Sequence, residues 1–232
     1  MNNRQQSRIR LCAFALLVAC MAGWGGTAPA RTAPATGRFL VAASGQPGVF
    51  SGSVVLLIAY GPDGALGLIV NQPTKFPLAK ALSNESELPD SNKPLYFGGP
   101  VALDHLTLLI RSKTPPPDAL RVLDDIYSSG SMKTLQAVAG NKFPGARFRG
   151  YAGYAGWAPG QLDSEIARGG WYVLAANADE VFTVDPAGLW KKLIHRQKLR
   201  WVDALRTDSP RQRFLSMHDA RLDADKAAGG RF

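Results

Sequence analysis

Ser53-Val54-Val55-Leu56-Leu57-Ile58-Ala59-Tyr60, then Gly61-Pro62-Asp63-Gly64, then Ala65-Leu66-Gly67-Leu68-Ile69-Val70 is the stretch that decides the fold class. Its first run is almost wholly aliphatic and rich in β-branched residues, as expected of a strand buried on both faces. The next four residues supply turn chemistry, and the apolar run that returns completes a hairpin. Upstream, Arg38-Phe39-Leu40-Val41-Ala42-Ala43 reads as another strand. Downstream, Asn71-Gln72-Pro73 ends the hairpin, and a short helix is expected around Leu78–Leu82. A polar loop from Ser83 to Lys93 leads into a strand at Leu95-Tyr96-Phe97 and then Gly98-Gly99-Pro100. His105–Ile110 is a further strand, Pro115-Pro116-Pro117 a linker, and Met132–Ala139 a helix. Arg147–Tyr151 and Trp171–Ala176 complete the strands, with a short helix over Pro159–Arg168 closed by Gly169-Gly170. Strands and helices alternate irregularly, which predicts an α+β (mixed α/β) fold: one compact domain with a mixed sheet flanked by short helices.

The chain has 232 residues, of which 46% are hydrophobic and 19% charged, a globular balance rather than a disordered or fibrous one. Two cysteines exclude a disulfide-dense scaffold and a four-cysteine zinc site. The formal charge of +9 suggests nucleic acid until its distribution is examined. Residues 1–30 carry three arginines and no acid, residues 31–190 hold 13 basic and 13 acidic side chains, and residues 191–232 hold 11 against 5. The body is therefore neutral, and the excess sits at the two ends.

The first end has the form of a targeting segment. Arg4, Arg8 and Arg10 precede the apolar run Leu11-Cys12-Ala13-Phe14-Ala15-Leu16-Leu17-Val18-Ala19, a basic region and a core of secretory length that is too short to span a bilayer. Two processing sites compete. Ala28-Pro29-Ala30 has the small-x-small form of signal cleavage, whereas Leu17-Val18-Ala19-Cys20 resembles a lipobox in which Cys20 carries the lipid. Residues 31–37 then link the segment to the domain. The expected location is periplasmic or lipid-anchored in the envelope, the alternative being a cytoplasmic chain that starts at Met21. After either cleavage the folded part retains no free thiol, which suits an oxidising compartment.

At the other end, Trp190, Leu193, Ile194, Trp201 and Leu205 recur at three-, four- and seven-residue steps, the spacing of an amphipathic helix with a basic outer face. Two readings stay open. The helix docks its apolar stripe on the core and solvates its charges, or the basic stretch 191–213 meets an acidic partner or an anionic membrane surface. An exported chain has no access to nucleic acid. The basic extension 196–232 is expected to be partly disordered towards its polar end.

The richest local block runs from Gly150 to Ile166, with glycines at 150, 153, 156 and 160 ahead of Gln161-Leu162-Asp163-Ser164-Glu165. Such glycines permit a tight turn or close approach of a neighbour. The spacing matches neither the dinucleotide fingerprint nor a P-loop, and first-turn acids there repel a phosphate. A tight turn packing Trp157 and Leu162 into the core is the expected role. Asn71 is expected to satisfy loop backbone, with ligand contact as the alternative. Asp163 and Glu165 are two residues apart and share no helix face, so they do not form an acid/base pair. His105, His195 and His218 are widely separated, and neither Gly-x-Ser-x-Gly nor His-Glu-x-x-His occurs. No catalytic residue, metal site or cofactor is assigned.

Several blocks together resemble a known group. Phe39-Leu40-Val41-Ala42, Phe50 with Ser53-Val54-Val55, Gly64–Asn71, Gly98-Gly99-Pro100, Gly153-Tyr154-Ala155-Gly156-Trp157-Ala158-Pro159-Gly160-Gln161-Leu162 with Glu165-Ile166, then Trp171, Phe182 and Leu189-Trp190 are similar to the YqgE/AlgH family of bacterial proteins over residues 38–195. The resemblance implies a single mixed α/β domain and no established activity. One branch of the family is called a regulator of exopolysaccharide production. The chain departs from the family in its secretion-like N-terminus, in its basic extension after Leu193, and at Gln46-Pro47-Gly48.

Three functions stand as expectations. The leading one is an exported, envelope-associated protein that acts as a non-enzymatic binding or scaffold domain. The second is a transcriptional regulator working from the cytosol, and the third an enzyme with a cleft between glycine loops. The candidate binding loop comprises Asn71, Gly98, Gly99, Pro100, Tyr154, Trp157, Gln161 and Glu165, gathered as polar and aromatic groups around one glycine-shaped site.

Overall fold

The hairpin forms where its sequence places it, as β2 (Val54–Gly61) and β3 (Gly64–Ile69). The structure is a computed structural model that describes residues 32–82 and 93–207. The targeting segment with Cys20, Ala28 and Ala30, most of the Ser83–Lys93 loop and the tail beyond residue 207 lie outside the described residues.

Strand β1 (Arg38–Ala42) pairs antiparallel with β2 and, on its other side, with β10 (Trp171–Ala175). The sheet is organised around β9 (Arg147–Trp157). Residues Arg147–Ala152 of β9 run antiparallel to Arg111–Leu106 of β6 (Val101–Arg111), while Ala155–Trp157 run antiparallel to Gly67–Ala65. At its middle, Tyr151 and Ala152 pair parallel with Tyr96 and Phe97 of β5 (Pro94–Phe97), which in turn pairs with β4 (Pro73–Pro77). β7 (Leu120–Leu123) and β8 (Ile126–Ser129) continue the sheet beyond β6, giving the order β10-β1-β2-β3-β9-β6-β8-β7. The curl brings β7 back to the start of β1, where a side chain on Gly37 would collide with the Val122 carbonyl.

Among the described residues five α-helices cover this half-barrel: α1 (Leu78–Ala81), α2 (Met132–Ala139), α3 (Gln161–Ala167), α4 (Ala178–Val181) and α5 (Pro186–Thr207). Alternation along the strands sends side chains to two buried faces. Phe39, Val41, Val54 and Leu56 pack with Leu189, Leu193 and Ile194 of α5. Leu40, Ala42, Val55 and Leu57 pack on the opposite side with Leu162 of α3, Trp157 and Trp171. Both faces of β1 and of the first half of β2 are thus dry, which is why they read as unbroken apolar runs, whereas β2 opens to water from Ile58 onward. α1 and α2 cover the β6 end through Leu78, Leu135 and Val138.

The Gly150–Trp157 segment corrects the sequence reading. It is not a turn but the second half of the strand that β3, β5 and β6 share, and the turn is confined to Ala158–Gly160 before α3. The small residues are there for close approach. A Cβ on Gly150 would meet the Leu78 side chain, and one on Gly153, at φ +67°, would meet the carbonyls of Gly99 and Val101. β4, β7 and β8 are strands that the sequence pattern does not announce.

Candidate functional site

The eight expected site residues separate into three places. Asn71 follows β3 and is buried. Its Oδ1 accepts from the Val54 backbone N–H at 2.8 Å and its Nδ2 donates to the Gly52 carbonyl at 2.9 Å. The amide fastens the segment entering β2 to the end of β3, the role expected for a loop-satisfying side chain.

Gly98 and Gly99 lie directly against β9. The Gly98 N–H donates to the Ala152 carbonyl at 2.8 Å, and the Gly98 carbonyl accepts from the Ile69 N–H at 2.9 Å. A Cβ on Gly98 would strike the Gly153 carbonyl, and one on Gly99, at φ +153°, the Tyr154 backbone. The two glycine segments therefore cross backbone to backbone, with no side-chain-sized gap between them at this point. Beyond the crossing the chain turns outward: Pro100, Val101, Leu103 and His105 are exposed, with Leu103 at 58%. A register shift in the β6–β9 ladder spans Val101 to Leu106, so this part of β6 bulges from the sheet. Tyr154 is half-buried beside it, its ring meeting His105 edge-on at 6.5 Å.

The third place is built by α3. Glu165 Oε2 accepts from Trp157 Nε1 at 3.0 Å and from Trp171 Nε1 at 2.8 Å, while Oε1 accepts from Gln161 Nε2 at 3.0 Å. Gln161 Oε1 in turn accepts from the Ala158 N–H at 3.1 Å, closing the turn ahead of the helix. Both indoles are buried and meet each other and Phe50 with centroids 5.4–6.2 Å apart. Carboxylate and rings form a clamp joining α3 to β9 and β10. With three donors already on its two oxygens, Glu165 is a positioning group rather than a free acid or base. Asp163 points elsewhere and accepts from the Tyr60 hydroxyl at 2.8 Å, which raises the Tyr60 phenol above its ordinary value. The separate faces expected for Asp163 and Glu165 are what the helix presents.

Sequence reading missed three further groups. Glu180, on α4, is buried and receives Arg196 Nη1 at 2.9 Å, Lys192 Nζ at 3.1 Å and Asn177 Nδ2 at 2.9 Å. Asn177 Oδ1 accepts from the Glu180 N–H at 2.9 Å, so Asn177-x-x-Glu180 was legible as an N-cap pair. The second group is Arg111, which donates to Asp125 at 2.8 Å and also to Asp179. The third is Arg149, whose guanidinium donates to the carbonyls of Val181 at 2.7 Å and Thr183 at 2.6 Å between the rings of Tyr96 and Phe182. The buried Tyr151 phenol is pushed upward by its desolvation. Among the described residues no group of three His, Cys, Asp or Glu could hold a metal ion.

A half-barrel of mixed sheet with helices on both faces, α3 held on it by an indole–carboxylate clamp, defines a single-domain α+β protein whose polar site residues mainly brace the fold. A family model described as AlgH-like (DUF179) matches residues 39–202, and the chain belongs to that family. Its relatives include a UPF0301 protein of Thermobifida fusca, 36% identical over 156 residues, 64% of this chain and 79% of the relative. Another, from Ruegeria pomeroyi, is 34% identical over 177 residues, 73% of this chain and 94% of the relative. The fold is similar to the solution structure of AlgH from Pseudomonas aeruginosa, with a TM-score of 0.60 at 27% identity, covering 73% of this chain and 93% of that one. It also matches a crystal structure from Corynebacterium diphtheriae in fold, with a TM-score of 0.61 at 23% identity, covering 72% and 90%. The family carries no established biochemical function.

Proposed function

We propose that this AlgH-like chain is exported and acts in the bacterial envelope as a non-enzymatic binding or scaffold domain. The observation that carries the reading is the N-terminal sequence, in which Arg4, Arg8 and Arg10 precede nine apolar residues and two processing signals, at Cys20 and at Ala28-Pro29-Ala30. The internal use of Asn71, Gln161 and Glu165 supports a binding rather than a catalytic role, because their polar atoms hold the fold together. The contact surface of this reading is the outward bulge Pro100–His105 with Tyr154, where Val101 and Leu103 are exposed. Fractionation with intact mass and N-terminal sequencing tests it. A mature chain in the envelope, beginning after Ala30 or at an acylated Cys20, is expected. A cytosolic chain beginning at Met1 or Met21 overturns it.

A further inference from the structure

α5 is a helix of two halves, about 33 Å long at 1.5 Å per residue. Its first half is fixed to the body. Leu189, Leu193 and Ile194 are buried, Trp190 Nε1 donates to the Ala42 carbonyl at 2.9 Å, and Lys192 and Arg196 hold Glu180. From Lys198 onward the described side chains are exposed. Leu199 and Val202 each stand 51% exposed, and Lys198 and Arg200 make no ion pair among the described residues. The side chains of Trp201 and Leu205, expected in the docked stripe, lie outside the described ones.

The exposed residues are ordered. Lys191, His195, Lys198 and Val202 fall at steps of four, three and four, with Leu199 beside them, so they share the face opposite Leu193. That face carries cations next to two aliphatic side chains held in water. From Pro186 to Thr207 the only acid is Asp203, against six Lys and Arg. The body between residues 31 and 190 is neutral, so the positive charge is concentrated on this helix and the sequence after it.

We propose that the outer face of α5 lies flat on an anionic lipid surface, with Lys191 and Lys198 at the headgroups and Leu199 and Val202 in the boundary below them. Charge complementarity carries the choice of occupant: the described lysines of this face, Lys191 and Lys198, are cationic and unpaired, and its two exposed aliphatic groups are the complement an interfacial helix needs. A membrane presents charge as a plane, which suits long, unpartnered stems on a convex helix. An acidic protein groove would instead call for directional, paired anchors such as those Lys192 and Arg196 already make with Glu180. No described helix is long and apolar enough to cross a membrane, so the contact lies on the surface rather than through it. This deepens the envelope reading but rests on it only for the compartment. Vesicle binding and the mass of the mature chain therefore fail independently.

The test is co-sedimentation of the full chain with vesicles of phosphatidylcholine alone and with about a third phosphatidylglycerol, at low salt and at about 0.5 M salt. Binding to the anionic vesicles only, released by salt, is expected. The double variant K191Q/K198Q should weaken partitioning about 30-fold. L199S/V202S should weaken it about tenfold while leaving the charge unchanged. Circular dichroism and the unfolding midpoint establish that both variants fold; the substituted side chains are exposed. Equal binding to neutral vesicles, or binding to neither, overturns the proposal. Full anionic binding by K191Q/K198Q also overturns it and transfers the contact to another part of the chain. Tighter binding to polyglutamate than to vesicles, unaffected by L199S/V202S, replaces the lipid surface with an acidic protein.

Discussion

Glu165 fastens α3 to the sheet and Glu180 fastens α5 to α4, yet the two are satisfied by opposite means. Glu165 sits among rings and takes neutral donors, two indole N–H groups and one amide. Glu180 takes two cations and an amide, and its side chain is only 6% exposed while those of Lys192 and Arg196 are 64% and 38% exposed. At the first site the two indole donors are buried and the acceptor is reachable by water. At the second the acceptor is buried and the donors reach water. The vulnerable partner is whichever one is left dry when the other is removed, and the two sites invert that assignment.

The largest effect is therefore expected from the cation side of the α5 anchor. Lys192→Ala with Arg196→Ala leaves the Glu180 carboxylate buried with Asn177 alone, at a cost of about 3–4 kcal/mol in urea unfolding. Glu180→Ala leaves two side chains that water can solvate and should cost only about 1 kcal/mol, mainly through the lost tie to α5. If the two experiments give equal losses, the asymmetry is wrong. At the clamp the order reverses. Glu165→Ala strands two buried indole N–H groups and should cost about 2–3 kcal/mol. Glu165→Gln keeps an acceptor for the indoles and should cost about 1 kcal/mol, with tryptophan emission close to the parent's. A red-shifted emission in Glu165→Gln would show that charge, not hydrogen-bond acceptance, holds the rings.

These anchors also mark where the sequence was readable. β1, β2 and β3 were legible because two dry faces leave an unbroken apolar signature, and the Gly153–Leu162 block was legible as a family block. The same block was misread as a turn, since strand signals reside in side chains and β9 lacks them where Leu78 and Gly99 press against its backbone. In sequence Glu165 shows only as an acid in a short helix, although Trp157 and Trp171 lie only eight and six residues away. What turns those spacings into a clamp is the placing of β9 and β10 in one sheet, with β1, β2 and β3 between them, which no local pattern encodes. Glu180 carries no local signal because its cationic partners lie on α5, 12 and 16 residues away, in a stretch whose pattern is that of a solvated basic face.

Asp179, next to Glu180 on α4, supplies the gentlest test, because it is an exposed pair beside a buried one. Its hydrogen bond to Arg111, reinforced by the attraction of that cation, holds its carboxyl below the ordinary value of 3.8. A depressed carboxyl stabilises the fold above its unfolded value and loses that contribution as pH falls through the lower folded value. The stability of the parent and of Asp179→Asn should thus differ slightly at neutral pH and converge only below pH about 4, the carboxylate range. Solvent screening keeps the difference small, the smallest of the set. Urea midpoints across the acid limb measure it. A difference that persists undiminished in strong acid would mean that Asp179 acts through the geometry of α4 rather than through its charge, and the contrast with Glu180 would then rest on packing alone.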